Sequence, residues 1–288
     1  MKQARSQTAE LVAAVRAGHT RHDGGLIFSD PIAESLLGFP WTTVVRHRWL
    51  YRWVSRVLLG KVRASHWQIL WRARRAEEQI ERAWRSGVRQ YLVLGAGLDS
   101  FAWRQAQTLP GLRVFEVDHP LTQAFKRDRI LAAGLSMPEA LRLVPLDLEH
   151  DPLHRLAERC DWHPRQRGIV AWMGTTYYLQ PDTIARTLSD LRDVMAPGSQ
   201  LLLDHGLDDA SIDAPTQVVY ARLRDFVAQR GEPMMSRFSD ADMTAMAEQA
   251  GWQVAQRWSM RDEPPGIWPE EALPLRDYSR LVLLTLPD

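Results

Sequence analysis

Two glycines and a carboxylate carry the first chemical signal in this chain. Over residues 90–104, Q-Y-L-V-L-G-A-G-L-D-S-F-A-W-R, an apolar run stops at Gly95 and Gly97 and an amphipathic segment begins. Glycines at such a turn let the backbone approach a ligand with no Cβ in the way, while free N–H groups of the following helix start point to the same place. About twenty residues on, a second apolar run, 112–117, ends in Asp118, where an α/β nucleotide site offers a carboxylate to a ribose. The plainer alternative is an ordinary strand-to-helix turn followed by a surface acid. Tyr177, Tyr178 and His205 are the groups near later strand ends that could touch or deprotonate an acceptor. Tyrosines there often only pack, and a lone histidine is more often hydrogen-bonded scaffold than base. His119, beside Asp118, is expected next to a cofactor rather than in proton transfer.

The elements that must position these groups alternate. Strands are predicted over 91–94, 112–117, 141–146 and 168–173, from Leu201, and over 252–258 and 279–286. Helical patterns start at Pro120 and cover 153–159, 181–195, 215–230 and 239–250. Strands separated by helices imply right-handed crossovers and a doubly wound, mainly parallel α/β sheet, and the closing pair of runs suits seven strands with the last one inserted. Ligands of such sheets bind beyond the carboxyl ends of the strands.

Residues 1–86 read as a helical preface, a cap or lid, and residues 87–288 as the core, with a helical insertion at about 207–238. Asp30-Pro31 reads as a helix cap with proline at the first helical position. Trp49, Trp53 and Val57 recur at helical spacing beside Arg48, Arg52 and Arg56. A basic aromatic helix can lie on a membrane or touch nucleic acid; the commoner use of such tryptophans is packing, here expected to cover the acceptor pocket. The loop 262–274, rich in proline and acid, is expected on the surface.

Composition narrows the class. A formal net charge of +1 over 288 residues gives no global electrostatic case for a nucleic-acid partner. The single cysteine, Cys160, excludes an internal disulfide framework and a cysteine-based metal site, which fits a reducing cytoplasm. No uncharged apolar run reaches membrane-spanning length, and no signal peptide pattern opens the chain.

Several ordered motifs then carry a family resemblance: T-A-x-x-V-A-A-x-R-A from Thr8, Asp30-Pro31, L-G-A-G-L-D-S, F-E-V-D-H-P and P-L-D-L at 145–148. Through them the chain resembles the leucine carboxyl methyltransferase-like family, including bacterial polyketide carboxyl O-methyltransferases, within the class I enzymes that use S-adenosylmethionine. The resemblance implies a Rossmann-like methyltransferase core. It implies that Arg16 and Arg72 grip the methionine carboxylate of the cofactor, Gly95 its amino acid moiety, Asp118 the ribose, and Asp147 with Leu148 the adenine. Many relatives carry glutamate and glycine after the fourth strand, where this chain has Met173-Gly174, so the acid's position holds a side chain that accepts no strong hydrogen bond.

Methyl transfer from a sulfonium asks the protein mainly to align donor and acceptor and to exclude water. An acceptor carboxylate, with pKa about 4, needs no base at neutral pH, whereas a phenol near 10 usually does. The family favours a carboxylate of a small natural product. A hydroxyl, phenol or amine acceptor is the nearest alternative. A nicotinamide-dependent oxidoreductase or a non-catalytic binding protein on the same fold are the distant ones.

Overall fold

The computed structural model describes residues 7–105 and 107–287. The apolar runs pair as one sheet of seven strands: β1 (Gln90–Leu94), β2 (Arg113–Asp118), β3 (Leu141–Pro145), β4 (Ile169–Trp172), β5 (Gln200–Gly206), β6 (Gln253–Trp258) and β7 (Ser279–Thr285). Their order is β3-β2-β1-β4-β5-β7-β6. Neighbours from β3 to β5 are parallel; β7 runs antiparallel between β5 and β6. Every residue of β1 and β4 is buried, as strands covered on both faces require. The expected sheet, with its inserted last strand, is the one observed.

In chain order the helices are α1 (Gln7–His22), α2 (Trp41–Arg46), α3 (Arg48–Trp53), α4 (Ala64–Arg85), α5 (Phe101–Gln105), α6 (Pro120–Ala132), α7 (Leu156–Arg159), α8 (Pro181–Asp193), α9 (Ala214–Ala228) and α10 (Asp240–Gln249). Side chains alternate across each strand, so the sheet has two separately packed faces. On one, Leu188 and Leu191 of α8 and Met243 of α10 pack with Leu92, Phe115, Leu201 and Leu203. On the other, α4 lays Ile69, Leu70 and Trp71 over Leu202, Leu281 and Leu283. Further along, Ile80 and Ala83 of α4 meet Tyr91, Val93 and Ile169.

That second face alters the expected division of the chain. Helix α4 lies within the proposed preface, yet it is a layer of the sheet's own core, so residue 86 is a boundary in the sequence pattern and not in the packing. Nor do the tryptophans of the preface cover a pocket. Trp49 is 72% and Trp53 50% exposed, because Leu50, Tyr51 and Val54 form the inward face of the same segment. The acidic, proline-rich loop is also less superficial than expected: Trp268 and Ala272 are buried in the core under α4, and Glu263 accepts the indole N–H of Trp71 at 2.7 Å. Asp30 accepts the N–H of Ala33 at 3.0 Å, but the short 3-10 helix there, Ala33–Leu36, has Ile32 at its N-cap and no side-chain cap, so Pro31 lies before the first helical position and not at it.

Candidate active site

A cavity of about 900 Å³ opens beyond the carboxyl ends of the strands. Its floor is the glycine turn after β1. Gly95 has φ +69°, and a Cβ there would lie 2.0 Å from Thr175 Cγ2, so both backbone and space require glycine. Gly97, at φ +53°, sends its N–H to Asp118 Oδ2 at 2.6 Å, which ties the turn to the end of β2. The other oxygen of Asp118 accepts the N–H of His119 at 2.7 Å. Burial holds the Asp118 carboxyl above its usual range even though those two N–H groups pull the other way. Each oxygen keeps a further lone pair.

His119 caps α6, its Nδ1 accepting the N–H of Leu121 at 3.2 Å, and Nε2 stands 3.7 Å from Asp147 Oδ2. Asp147 is half-buried after β3 and takes the N–H of Glu149 at 2.9 Å. Burial alone would raise its pKa; that N–H and the neighbouring His150 outweigh it and keep the carboxylate below its ordinary value. Leu148 adds an apolar surface to the same wall.

Two arginines line the same cavity, each fixed by a buried carboxylate. Arg16 of α1 donates Nη2 to the carbonyl of Leu98 at 2.7 Å and places Nε 3.0 Å from Asp30 Oδ2. Asp30 is itself held by Ser100 Oγ at 2.7 Å and lies 3.3 Å from Arg104 Nε. Arg72 of α4 donates Nη1 to Asp204 Oδ2 at 3.0 Å. Asp204 is wholly buried at the end of β5 and also accepts the N–H of Gly174 at 2.6 Å, Tyr177 Oη at 2.9 Å and Gln68 Nε2 at 3.1 Å. Burial opposes the charge on Arg72, and Asp204, seconded by the surrounding tyrosines, more than offsets it. Gly174 has φ +72°, and a Cβ on it would fall 2.5 Å from Arg72 Nη2.

The sequence reading takes Asp30 only as a helix cap and does not single out Asp204. Strand parity, once the structure gives its phase, places Asp204. Leu202 faces α4 while Leu201 and Leu203 face α8, so residue 204 points to the cavity side and residue 205 away from it.

Parity decides against His205. Its ring is wholly buried on the opposite face, 6.3 Å from the Phe238 ring, with Nδ1 3.3 Å from the carbonyl of Gly206, and it does not border the cavity. Burial lowers its pKa, and the imidazole serves as scaffold. Tyr177 and Tyr178 do border the cavity. Burial, followed by Asp204, pushes the Tyr177 hydroxyl well up; burial, followed by Glu232, pushes Tyr178 up to about 12. Met173 sits half-buried at the wall, packed between the two clusters on the α4 face. Around Tyr178 the cavity is apolar, closed by Val62, Leu223, Phe226, Met234 and Tyr278. Thr8 and Thr175 line this space, and the buried Thr175 hydroxyl has no hydrogen-bond partner among the described residues.

The family model described as leucine carboxyl methyltransferase matches residues 9–192. YktD of Bacillus subtilis (strain 168), whose name assigns it to the S-adenosyl-L-methionine-dependent methyltransferases, is 27% identical over 282 residues, 89% of each chain. A similarly named protein of Mycobacterium bovis (strain BCG / Pasteur 1173P2) is 33% identical over 228 residues, covering 72% of this chain and 68% of its own. Among solved structures, a Thermobifida fusca protein named as a methyltransferase superposes with TM-score 0.64 over 100% of this chain and 97% of its own, at 15% identity. A Streptomyces avermitilis protein of the duf574 family gives TM-score 0.60 at 16% identity, covering 95% of this chain and 97% of its own. At such identity these likenesses concern the fold.

Proposed function

The chain belongs to the leucine carboxyl methyltransferase family and is an S-adenosylmethionine-dependent methyltransferase, and we propose that it esterifies the carboxylate of a small, largely apolar natural product. The observation that carries this reading is that none of the tyrosine and histidine candidates is poised as a base at the acceptor end of the cavity. Tyr177 spends its hydroxyl on Asp204, Tyr178 keeps its proton far above neutrality, and His205 faces the other side of the sheet. A carboxylate acceptor, already ionised with pKa about 4, is the acceptor class that asks for none.

The residues present fit the cofactor. Two glycines keep the turn bare of side chains, and the Thr175 hydroxyl beside it has no hydrogen-bond partner among the described residues. Two guanidiniums and a carboxylate that retains acceptor capacity line the same cavity. In this reading Arg16 and Arg72 hold the methionine carboxylate, Gly95 and Gly97 the adjoining backbone contacts, Asp118 the ribose hydroxyls, and Asp147, Leu148 and His119 the adenine side. Met173 gives a van der Waals wall where relatives have an acid. Bound there, the cofactor supplies an electrophilic methyl group on a sulfonium. The chain's own work is to orient the acceptor between Tyr178 and the apolar wall and to keep water out, which strengthens every charge interaction inside.

The test is product chemistry. Acids, phenols and amines are offered with S-adenosylmethionine, and any methylated product is treated with mild alkali. A product that reverts to the free acid supports the reading. An alkali-resistant ether or amine as the sole product would overturn it.

A further inference from the structure

The chain distributes its charge unevenly. From Ser35 to Ala76 there is no Asp or Glu, while nine Lys and Arg fall in those 42 residues of a chain whose net charge is +1. Most of the arginines borrow a carboxylate from elsewhere: Arg46 from Glu34, Arg63 from Glu271, Arg72 from Asp204, and Arg74 and Arg75 from Glu78. Arg48, Arg52 and Arg56 are exposed and have no carboxylate partner among the described residues. They form one row along α3 and the π-helical turn that continues it, Val54–Leu58. The adjoining row is Trp49, Trp53 and Val57, exposed by 72%, 50% and 58%. Residues four apart stack on a helix surface, so the two rows make one continuous outward face.

The inward face is fixed. Leu50, Tyr51 and Val54 join a buried cluster, and Tyr51 lies so tightly on α1 that a Cβ on Gly18 would come within 2.1 Å of its ring. The tryptophans therefore cannot turn inward without unpacking α1. A few residues on, the same segment supplies Val62 and Ser65 to the wall of the cavity.

We infer that this face docks on an anionic lipid surface. The arginine row complements lipid phosphates, and tryptophan is suited to the boundary between headgroups and acyl chains. A second copy of the chain fits poorly, since apposing the face with itself would gather unpaired guanidiniums with no acid between them. Nucleic acid would use the arginines but has no use for Val57, which offers no ring for a base to stack on. The inference is independent of the acceptor's identity; attachment would set the cavity beside the bilayer, where apolar acceptors concentrate.

The experiment is flotation of the full-length protein with vesicles of phosphatidylcholine alone or with added phosphatidylglycerol, together with quenching of its tryptophan emission by brominated phosphatidylcholine in the mixed vesicles. Binding is expected only to the anionic vesicles, and it should weaken with salt. R48E/R52E/R56E should lower the partition coefficient roughly a hundredfold or more, from about tenfold per 1.4 kcal/mol and about 1 kcal/mol per arginine. W49A/W53A should abolish the quenching while thermal stability stays at the wild-type level. No flotation of wild type at low salt, or no quenching, overturns the inference without any variant. So does tighter binding to duplex DNA that W49A/W53A leaves intact, which would assign the face to nucleic acid.

Discussion

Arg72 Nη1 lies 3.0 Å from Asp204 Oδ2, and the same carboxylate receives the backbone N–H of Gly174 at 2.6 Å through its other oxygen. One buried acid thus fixes both a cation on α4 and the turn after β4 that passes beneath it. Asp204→Asn keeps the shape but leaves Arg72 without its counter-charge. Uncoupling a buried pair of this kind costs about 3–5 kcal/mol of stability. Affinity for S-adenosylmethionine should fall by about tenfold or more. Calorimetry and a thermal melt check both, and wild-type affinity in a folded Asp204→Asn protein would remove Arg72 from the cofactor site.

Gly174→Ala separates strain from collision. The added Cβ would meet Arg72 Nη2 at 2.5 Å, at a φ of +72°, whereas Gly87, at φ +97°, has nothing within 4 Å of a Cβ. Both alanines should cost about 1–2 kcal/mol of stability for the left-handed backbone. Only Gly174→Ala should also weaken cofactor binding, measured in the same titration. Equal binding by the two variants would show that the Arg72 head is not needed where it stands.

How much of this could be read from the sequence follows from what each signal measures. The seven strands, their alternation with helices and the Gly95–Asp118 pair are local patterns of apolarity and turn chemistry, and they sit where expected. Asp204 and His205 show where such reading stopped. The strand is legible from Leu201 on, but which of two adjacent polar residues faces the cavity depends on the phase of a strand whose residues are buried on both sides. A strand of that kind carries no hydrophobic alternation to reveal its phase. The role of α4 was hidden for a related reason: its apolar residues mark a helix face, but only tertiary contact shows that the face belongs to the sheet. Trp49 and Trp53 were misjudged because large apolar residues at helical spacing normally point inward, and here Tyr51 and Val54 already fill the inward side.

A chain beginning at Ser86 should therefore fail to fold. It lacks Ile69, Leu70, Trp71, Ile80 and Ala83, all buried against the sheet. Loss of native circular dichroism and of solubility is expected. A folded, cofactor-binding fragment would restore the view of residues 1–86 as a detachable lid.

His66 should shape the acid limb of stability. It is buried among apolar neighbours, with Nε2 unpartnered among the described residues, and burial first, then Arg63, lowers its pKa to about 4. Its unfolded value is about 6.5. Below about 6.5 the unfolded chain therefore binds a proton that the folded chain refuses, so stability falls as the pH drops from there toward 4, by up to about 1.4 kcal/mol per pH unit. His66→Leu should flatten that slope in denaturant titrations and leave stability at pH 8 near wild type or higher. An unchanged slope would place the acid sensitivity in other groups.

The pH dependence of turnover tests the absence of a tyrosine or histidine base, read in the range where the fold is native. If the acceptor is a carboxylate, kcat/KM should stay level from about pH 8 to about pH 5 and fall only as the acceptor protonates near its pKa of about 4. Were it a phenol with no base to help, kcat/KM should instead rise about tenfold per pH unit toward the phenol's pKa near 10. Tyr178, pushed up to about 12, stays protonated across the whole range, so Tyr178→Phe should alter KM through lost contact and leave the shape of the profile unchanged. His205→Asn should matter only through stability, since the ring lies across the sheet from the cavity. A general base would contribute roughly 10²–10⁴ in rate. A loss of that size in folded His205→Asn, together with a wild-type profile that falls below about pH 6.5, would mean that a protein base acts on a hydroxyl and that the ester reading is wrong.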